Sequence, residues 1–315
     1  MRIVFMGTPE FALPSLEALV RSEHEVVGVI TQPDRPKGRR RKLSPTPVKE
    51  YCLKNNLLVL TPEDLKSDDF VVQLKDIKPD LALVVAFRIL PEKVFSIPPK
   101  GTINLHPSLL PKYRGAAPIN WAIINGETKT GITTFFIRKR VDTGNIILQR
   151  EVDIAPDESF GELSKRLALI GADLLIETVE LIEKGEVKTF TQDETQATSA
   201  PKLTPDIGKI EWSRKADEIK NLIRGLSPLP GAYTFFEGKR LKILRAEVIE
   251  DQEIDRKDIT QSFGEVTSAD KNQGIVVKTK KGELKLLLLQ PEGKKMITAD
   301  EFLRGYRIKV GDKLG

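Results

Sequence analysis

The chain has 315 residues, 40% hydrophobic and 30% charged, with a formal net charge of +5; this is a soluble composition, long enough for two domains and a sizeable core. No run of about 20 apolar residues is available to span a membrane, and the apolar part of the N-terminus is too short for a signal peptide. The lone Cys52 excludes an intrachain disulfide and fits a reducing cytoplasm, and no Cys/His cluster or HExxH pattern points to zinc.

In chain order, Arg2 to Met6 is a short apolar strand. Gly7-Thr8-Pro9 turns the chain into a helix carrying Phe11, Leu13, Leu16, Leu19 and Val20 at helical spacing. Val26 to Thr31 is a second strand. Gln32 to Pro47 is expected as a loop, with four prolines and six basic residues between Arg35 and Lys42; loops of this length are usually functional or disordered. Val48 to Asn55 is a helix, Leu57 to Leu60 a strand, and Glu63 to Lys75 a further helix. Leu81 to Ala86 is a continuous apolar run, the mark of a strand buried on both faces. Thr102 to Leu105 is the next strand, Ile132 to Phe136 and Ile146 to Val152 follow, and Phe160 to Glu183 is a long helix. Alternating units of this kind predict an α/β fold, a doubly wound, mostly parallel sheet.

Gln192 to Pro205 is polar and weakly patterned, and is expected as a linker. A helix from Ala216 to Arg224 comes next. Then come five strand-like stretches: Ala232 to Phe236, Leu241 to Val248, Gly264 to Thr267, Gly274 to Lys278 and Leu284 to Leu289. These suggest a small β-barrel, of which the OB-like form is the common five-stranded one. The expected domains are therefore 1–190, a linker 191–205, and a barrel 206–315.

Chemistry concentrates in two places. Asn104 and His106 stand two apart at the end of a strand, so they point to one side. Ligands bind at such carboxyl ends of strands in open α/β sheets. Downstream, Val141-Asp142-Thr143-Gly144 sits in the bend between two strands. Asn, His and Asp together can hold a carbonyl oxygen and move a proton. Asp-Thr-Gly is also the short signature of aspartic proteases, but those need two copies and this chain has one. Gly7-Thr8-Pro9 lacks the spacing of a dinucleotide fingerprint, and no GxxxxGK[ST] occurs. His24, between two glutamates, reads as solvated. The basic loop from Arg35 to Lys42 makes a polyanion a reasonable partner.

Asn104 to Pro111, Tyr113-Arg114-Gly115 and Asp142-Thr143-Gly144 resemble the signature of the 10-formyltetrahydrofolate-dependent formyltransferases. The resemblance extends to Phe5 to Ala12, Gln32 to Pro36, Gln192-Asp193-Glu194 with Ala200-Pro201-Lys202, Pro230 to Thr234, Leu289 to Lys295 and Phe302 to Gly305. It is therefore similar to the members that formylate initiator methionyl-tRNA and carry a C-terminal barrel. The resemblance implies direct transfer from 10-formyltetrahydrofolate to the α-amino group of methionine on the tRNA, without a metal. Asn104 would donate to the formyl oxygen. His106, as imidazolium, would stabilise the oxyanion, and Asp142 would favour that charged ring and help carry the amine proton away. Phe87, Arg88, Ile89 and Leu90, with Ser108, Leu109, Leu110 and Pro111, would hold the folate. Arg35, Lys37, Arg39, Arg40, Arg41 and Lys42 would grip the tRNA acceptor stem, supported by Lys202 and the barrel.

Two departures from the family pattern stand out: Arg88 where the methionyl-tRNA members usually have Gly, and Leu229 where they usually have Trp. The Arg138-Lys139-Arg140 run is also unusually basic. A cytoplasmic monomer is expected. The alternatives are a small-molecule formyltransferase acting on an amino sugar or glycinamide ribonucleotide, and an RNA-binding protein without catalysis.

Overall fold

The computed structural model describes residues 1–37, 42–249 and 262–315. The described chain divides into two compact units. The first holds Met1–Pro118, Lys129–Asp153 and Ser164–Pro201; the second holds Ile119–Thr128, Ile154–Leu163 and Lys202–Gly315.

The chain opens with β1 (Arg2–Gly7), α1 (Leu13–Arg21) and β2 (Glu25–Ile30). A short ribbon follows, β3 (Arg35–Lys37) and β4 (Lys42–Ser44), then α2 (Pro47–Lys54), β5 (Val59–Leu60), α3 (Asp68–Asp76), β6 (Leu81–Val85) and α4 (Glu92–Phe95). Next come β7 (Thr102–His106), β8 (Arg114–Gly115), α5 (Pro118–Ile124), β9 (Lys129–Phe136), β10 (Ile146–Asp153), α6 (Phe160–Lys184) and β11 (Ser199–Ala200). The main sheet, in the first unit, has the order β10-β9-β7-β6-β1-β2-β5. β5, β2, β1, β6 and β7 are parallel to one another, while β9 and β10 pair antiparallel at the edge.

The central strands are apolar on both faces because helices cover both. Ile3, Val4, Phe5 and Met6 of β1 are fully buried, as are Leu81, Leu83 and Val85 of β6. Each such side chain contributes about 1.5–3 kcal/mol when removed from water, so Phe5→Ala in this layer would cost about 3–5 kcal/mol. Helix starts are set locally. Thr46 caps α2 through its hydroxyl to the Lys49 amide, with Pro47 at the first helical position, and Ser67 caps α3 through the Phe70 amide. That cap explains why α3 begins at Asp68 rather than at Glu63, where apolar spacing alone places it.

The 32–47 stretch differs from the loop expected. Arg35, Pro36 and Lys37 pair antiparallel with Ser44, Leu43 and Lys42. Its base is tied by the Asp34–Lys49 ion pair at 2.7 Å and by the Thr31–Thr46 hydroxyl pair at 2.8 Å. No alternation of apolar residues marks this ribbon, because its ladder is held by backbone and not by a buried face. Arg39, Arg40 and Arg41 lie outside the described residues, as do the side chains of Lys37 and Lys42.

The expected linker, 191–205, is divided. Through Pro201 it packs in the first unit, where β11 pairs parallel with β8; from Lys202 it belongs to the second. Its polar composition hid this because its partners are backbone and polar groups rather than an apolar face.

The second unit contains α7 (Ala216–Leu226), β12 (Ala232–Phe236), β13 (Lys239–Ile249), β14 (Val266–Asp270), β15 (Gly274–Lys278), β16 (Glu283–Pro291), β17 (Ile297–Thr298) and α8 (Ala299–Gly305). The antiparallel sheet order is β12-β13-β16-β15-β14, with β17 added to β16. The apolar face of α7 and the ring of Phe302 from α8 bury Ile243, Leu286 and Leu289. The sequence reading missed α8, although its capping box, Thr298 with Glu301, is legible.

Candidate active site

β7 carries Asn104 and His106 on one side, as their spacing requires. Both line a cavity of about 270 Å³ at the carboxyl ends of β6 and β7. Asp142 and Val141, from the bend between β9 and β10, line it as well. The three candidate catalytic residues therefore converge on one cavity from a strand end and a distant bend.

His106 is 4% exposed. Its Nε2 lies 2.9 Å from the carbonyl oxygen of Tyr113. A carbonyl can only accept, so Nε2 carries the proton and Nδ1 is the nitrogen left to exchange one. Nδ1 faces the Asp142 Oδ2 at 3.9 Å. That same oxygen accepts the backbone N–H of Gly115 at 2.9 Å, which fixes the carboxylate. Asn104 is half-buried, and among the described residues its side-chain amide has no hydrogen-bond partner, so both its donors are open to the cavity.

Three non-glycine residues around this cavity have left-handed backbones: Ala86 (φ 48), Tyr113 (φ 60) and Asp142 (φ 53). Each costs about 1–3 kcal/mol and persists only where surrounding contacts impose it. Two glycines are required by close approach. A Cβ on Gly144 would run into the Phe136 carbonyl oxygen, and one on Gly115 would lie 2.6 Å from that of Ala200.

Of the expected folate residues, Phe87, Arg88, Ile89 and Leu90 line the cavity. Ile89 is 74% exposed, an apolar side chain with no protein cover. Arg88 sits over the Phe87 ring at 5.4 Å and donates to the carbonyls of Glu63 (2.9 Å) and Pro62 (2.7 Å). Burial, and then the neighbouring Arg35 charge, lowers the pKa of this guanidinium. Ser108, Leu109, Leu110 and Pro111 do not line the cavity. Ser108 is fully buried and donates to the Lys112 carbonyl, while its own carbonyl accepts from Thr133 at 2.7 Å. Leu110 packs with Phe135 and Ile146. This stretch packs against β9 and β10. Arg35 and Lys202 are exposed.

The sequence reading also missed several members of the site. The Tyr113 carbonyl and Gly115 amide are backbone groups, which side-chain motifs cannot signal. Ile137, Arg138 and Lys139 line the cavity together with Phe87 to Leu90 only because β9 places them there. Gln192 lies in a stretch that carries part of the family resemblance, but no site role was expected of it; it donates to the carbonyls of Asp142 (2.9 Å) and Gly144 (2.8 Å).

With this geometry in hand, comparison with known proteins is direct. Residues 1–179 match the formyl transferase family and residues 202–307 the formyl transferase C-terminal domain. The chain is 47% identical over its full length to the whole of the methionyl-tRNA formyltransferase of Alkaliphilus oremlandii. It is 46% identical to that of Moorella thermoacetica, covering 100% of this chain and 99% of that one. Among solved structures, the sugar 3N-formyltransferase WlaRD has a TM-score of 0.66 at 19% identity, covering 94% of this chain and 99% of that chain; at such identity the likeness speaks for the fold. Full-length relatives at this level of identity, together with family matches in both units, carry the assignment: the chain belongs to the methionyl-tRNA formyltransferase family.

Proposed function

We propose that the protein transfers the formyl group of 10-formyltetrahydrofolate to the α-amino group of methionine esterified to initiator tRNA, for translation initiation in the cytoplasm. The observation that carries this reading is the convergence of Asn104, His106 and Asp142 on one cavity that is also lined by the partly exposed Phe87 to Leu90 segment. A flat, partly apolar ligand with a polar tip suits that lining.

The co-substrate supplies an activated formamide. Asn104 donates its amide hydrogens to the formyl oxygen. The amine adds to the formyl carbon and gives up a proton, and the carbon's bond to N10 of the folate breaks as N10 takes up a proton, leaving tetrahydrofolate. His106, charged at Nδ1, stabilises the oxygen that gains negative charge during addition. Fixed donors of this kind are worth roughly 10²–10³ in rate each. Asp142 faces Nδ1 and serves as the proton's acceptor, through a bridging water where the distance requires one.

The ribbon bearing Arg35 and Lys37 on one strand and Lys42 on the other, with Arg39, Arg40 and Arg41 between them in sequence, is suited to phosphate contacts on the acceptor stem. Lys202 and the C-terminal antiparallel sheet, read as an OB-like barrel, would support the rest of the RNA. The protein is expected to act as a monomer.

Rates with charged initiator tRNA and with an amino-sugar nucleotide, both using 10-formyltetrahydrofolate, test the reading. Transfer confined to the tRNA supports it. Transfer confined to the amino sugar would replace it with a small-molecule activity.

A further inference from the structure

We infer that Gln192 is a positioning residue for the catalytic carboxylate, and that the strap 192–200 is an integral part of the active site. The inference rests on the proposed role of Asp142 and concerns how that carboxylate is held.

Gln192 is 6% exposed, and both ends of its amide are used. Nε2 donates to the carbonyls of Asp142 at 2.9 Å and Gly144 at 2.8 Å. Oε1 accepts from Arg114 Nε at 3.0 Å and Nη2 at 2.7 Å. One side chain thus bridges the bend that carries Asp142 and the strand that carries Gly115, whose N–H grips the Asp142 carboxylate. The two groups that set the direction of that carboxylate, its own backbone and the Gly115 donor, are joined through a single amide.

The rest of the strap reinforces the same segment. Arg114 makes a two-pronged contact with Glu194, at 3.0 and 2.8 Å, and that hydrogen bonding holds the Glu194 carboxyl below its usual range. Thr198 takes the Tyr113 amide on its hydroxyl at 2.8 Å and the Arg114 amide on its carbonyl at 2.9 Å. The Ala200 carbonyl accepts from Ala116 at 2.8 Å. The strap therefore holds both the segment whose Tyr113 carbonyl binds His106 and the one whose Gly115 amide binds Asp142.

The left-handed backbone of Asp142 gives the bend a reason to relax if its clamp is cut. Only an amide fits at position 192, because two carbonyl oxygens need a donor and a guanidinium needs an acceptor. A carboxylate in its place, as in Gln192→Glu, matches Arg114 and repels both carbonyls; an apolar side chain, as in Gln192→Leu, serves neither.

The test is a double-mutant cycle on the full chain, measuring single-turnover formyl transfer and tetrahydrofolate binding. Gln192→Glu and Gln192→Leu are each expected to lower the transfer rate by roughly 10–100-fold, the scale of a misplacement of about 1 Å, with folate affinity changed less than about threefold. In an Asp142→Ala background the same changes should add little, because Gln192 acts through the carboxylate. Folate binding of each variant confirms that it has folded. Full activity of Gln192→Glu would overturn the inference, as would an undiminished loss in the Asp142→Ala background. An Asp142→Ala protein with normal turnover would instead remove the role assigned to Asp142, and the inference with it.

Discussion

The Nε2 of His106 is tied to the Tyr113 carbonyl at 2.9 Å, so this ring meets the cavity with Nδ1 alone. Tyr113 adopts φ 60 to present that carbonyl, and its own amide is held by Thr198. A buried histidine thereby has one tautomer when neutral and presents one nitrogen to the cavity, the placement that a group stabilising a transient oxyanion needs.

Replacing either donor should damage chemistry and spare RNA binding. Asn104→Ala and His106→Ala are each expected to lower turnover by about 10²–10³-fold. Single-turnover rates alongside tRNA binding constants would check this. Equal losses of tRNA affinity in both variants would contradict the division between cavity and basic ribbon.

Gly144→Ala should be costly in a different way. The new Cβ would collide with the Phe136 carbonyl, which is backbone and cannot swing aside. Overpacking of this kind costs about 1–3 kcal/mol, or a Tm lower by roughly 2–10 °C. Activity should fall too, since the bend that must move carries Asp142. A thermal melt with an unchanged midpoint would show that the bend has room.

Much of the first unit was legible in the sequence. Leu81 to Val85 announces itself as a buried parallel strand by lacking any polar residue, and Asn104 with His106 reveals a functional face by strand periodicity. What was not legible rests on backbone and polar pairing. The β3–β4 ribbon has no buried face, and Gln192, although it lies in a stretch that shares the family resemblance, gives no periodic signal of its contact with the Asp142 bend. The hold on Ser108 to Pro111 is polar as well: the Leu110 amide donates to the Thr133 hydroxyl at 3.2 Å, and Gln149 donates to the Leu110 carbonyl at 2.8 Å.

Arg39→Ala should weaken tRNA use and leave folate binding intact. If Arg39 contacts a phosphate, the slope of log affinity against log salt should become shallower by about 0.7–0.9. Titrations at several salt concentrations would measure it, and an unchanged slope would take Arg39 out of the interface.

Cys52 should behave as an inert core thiol. It is fully buried, and burial pushes its pKa up to about 11. At pH 8 roughly one such thiol in a thousand is ionised, against about a quarter at the ordinary value near 8.5. Because the folded value is the higher one, this group's contribution to stability is retained below about 8.5 and lost as pH rises toward about 11. Iodoacetamide should label the native protein very slowly at pH 8 and the denatured chain rapidly. Fast labelling of the native state would mean that α2 opens readily.

The most direct measurement is formyl transfer from 10-formyltetrahydrofolate to charged initiator methionyl-tRNA, with charged elongator methionyl-tRNA as control, for the parent protein and for Asn104→Ala. The expected result is selective formylation of the initiator by the parent and a loss of about 10²–10³-fold in the variant. Equal transfer by both proteins, or none to either tRNA, would contradict the assignment of this cavity as the site of the reaction.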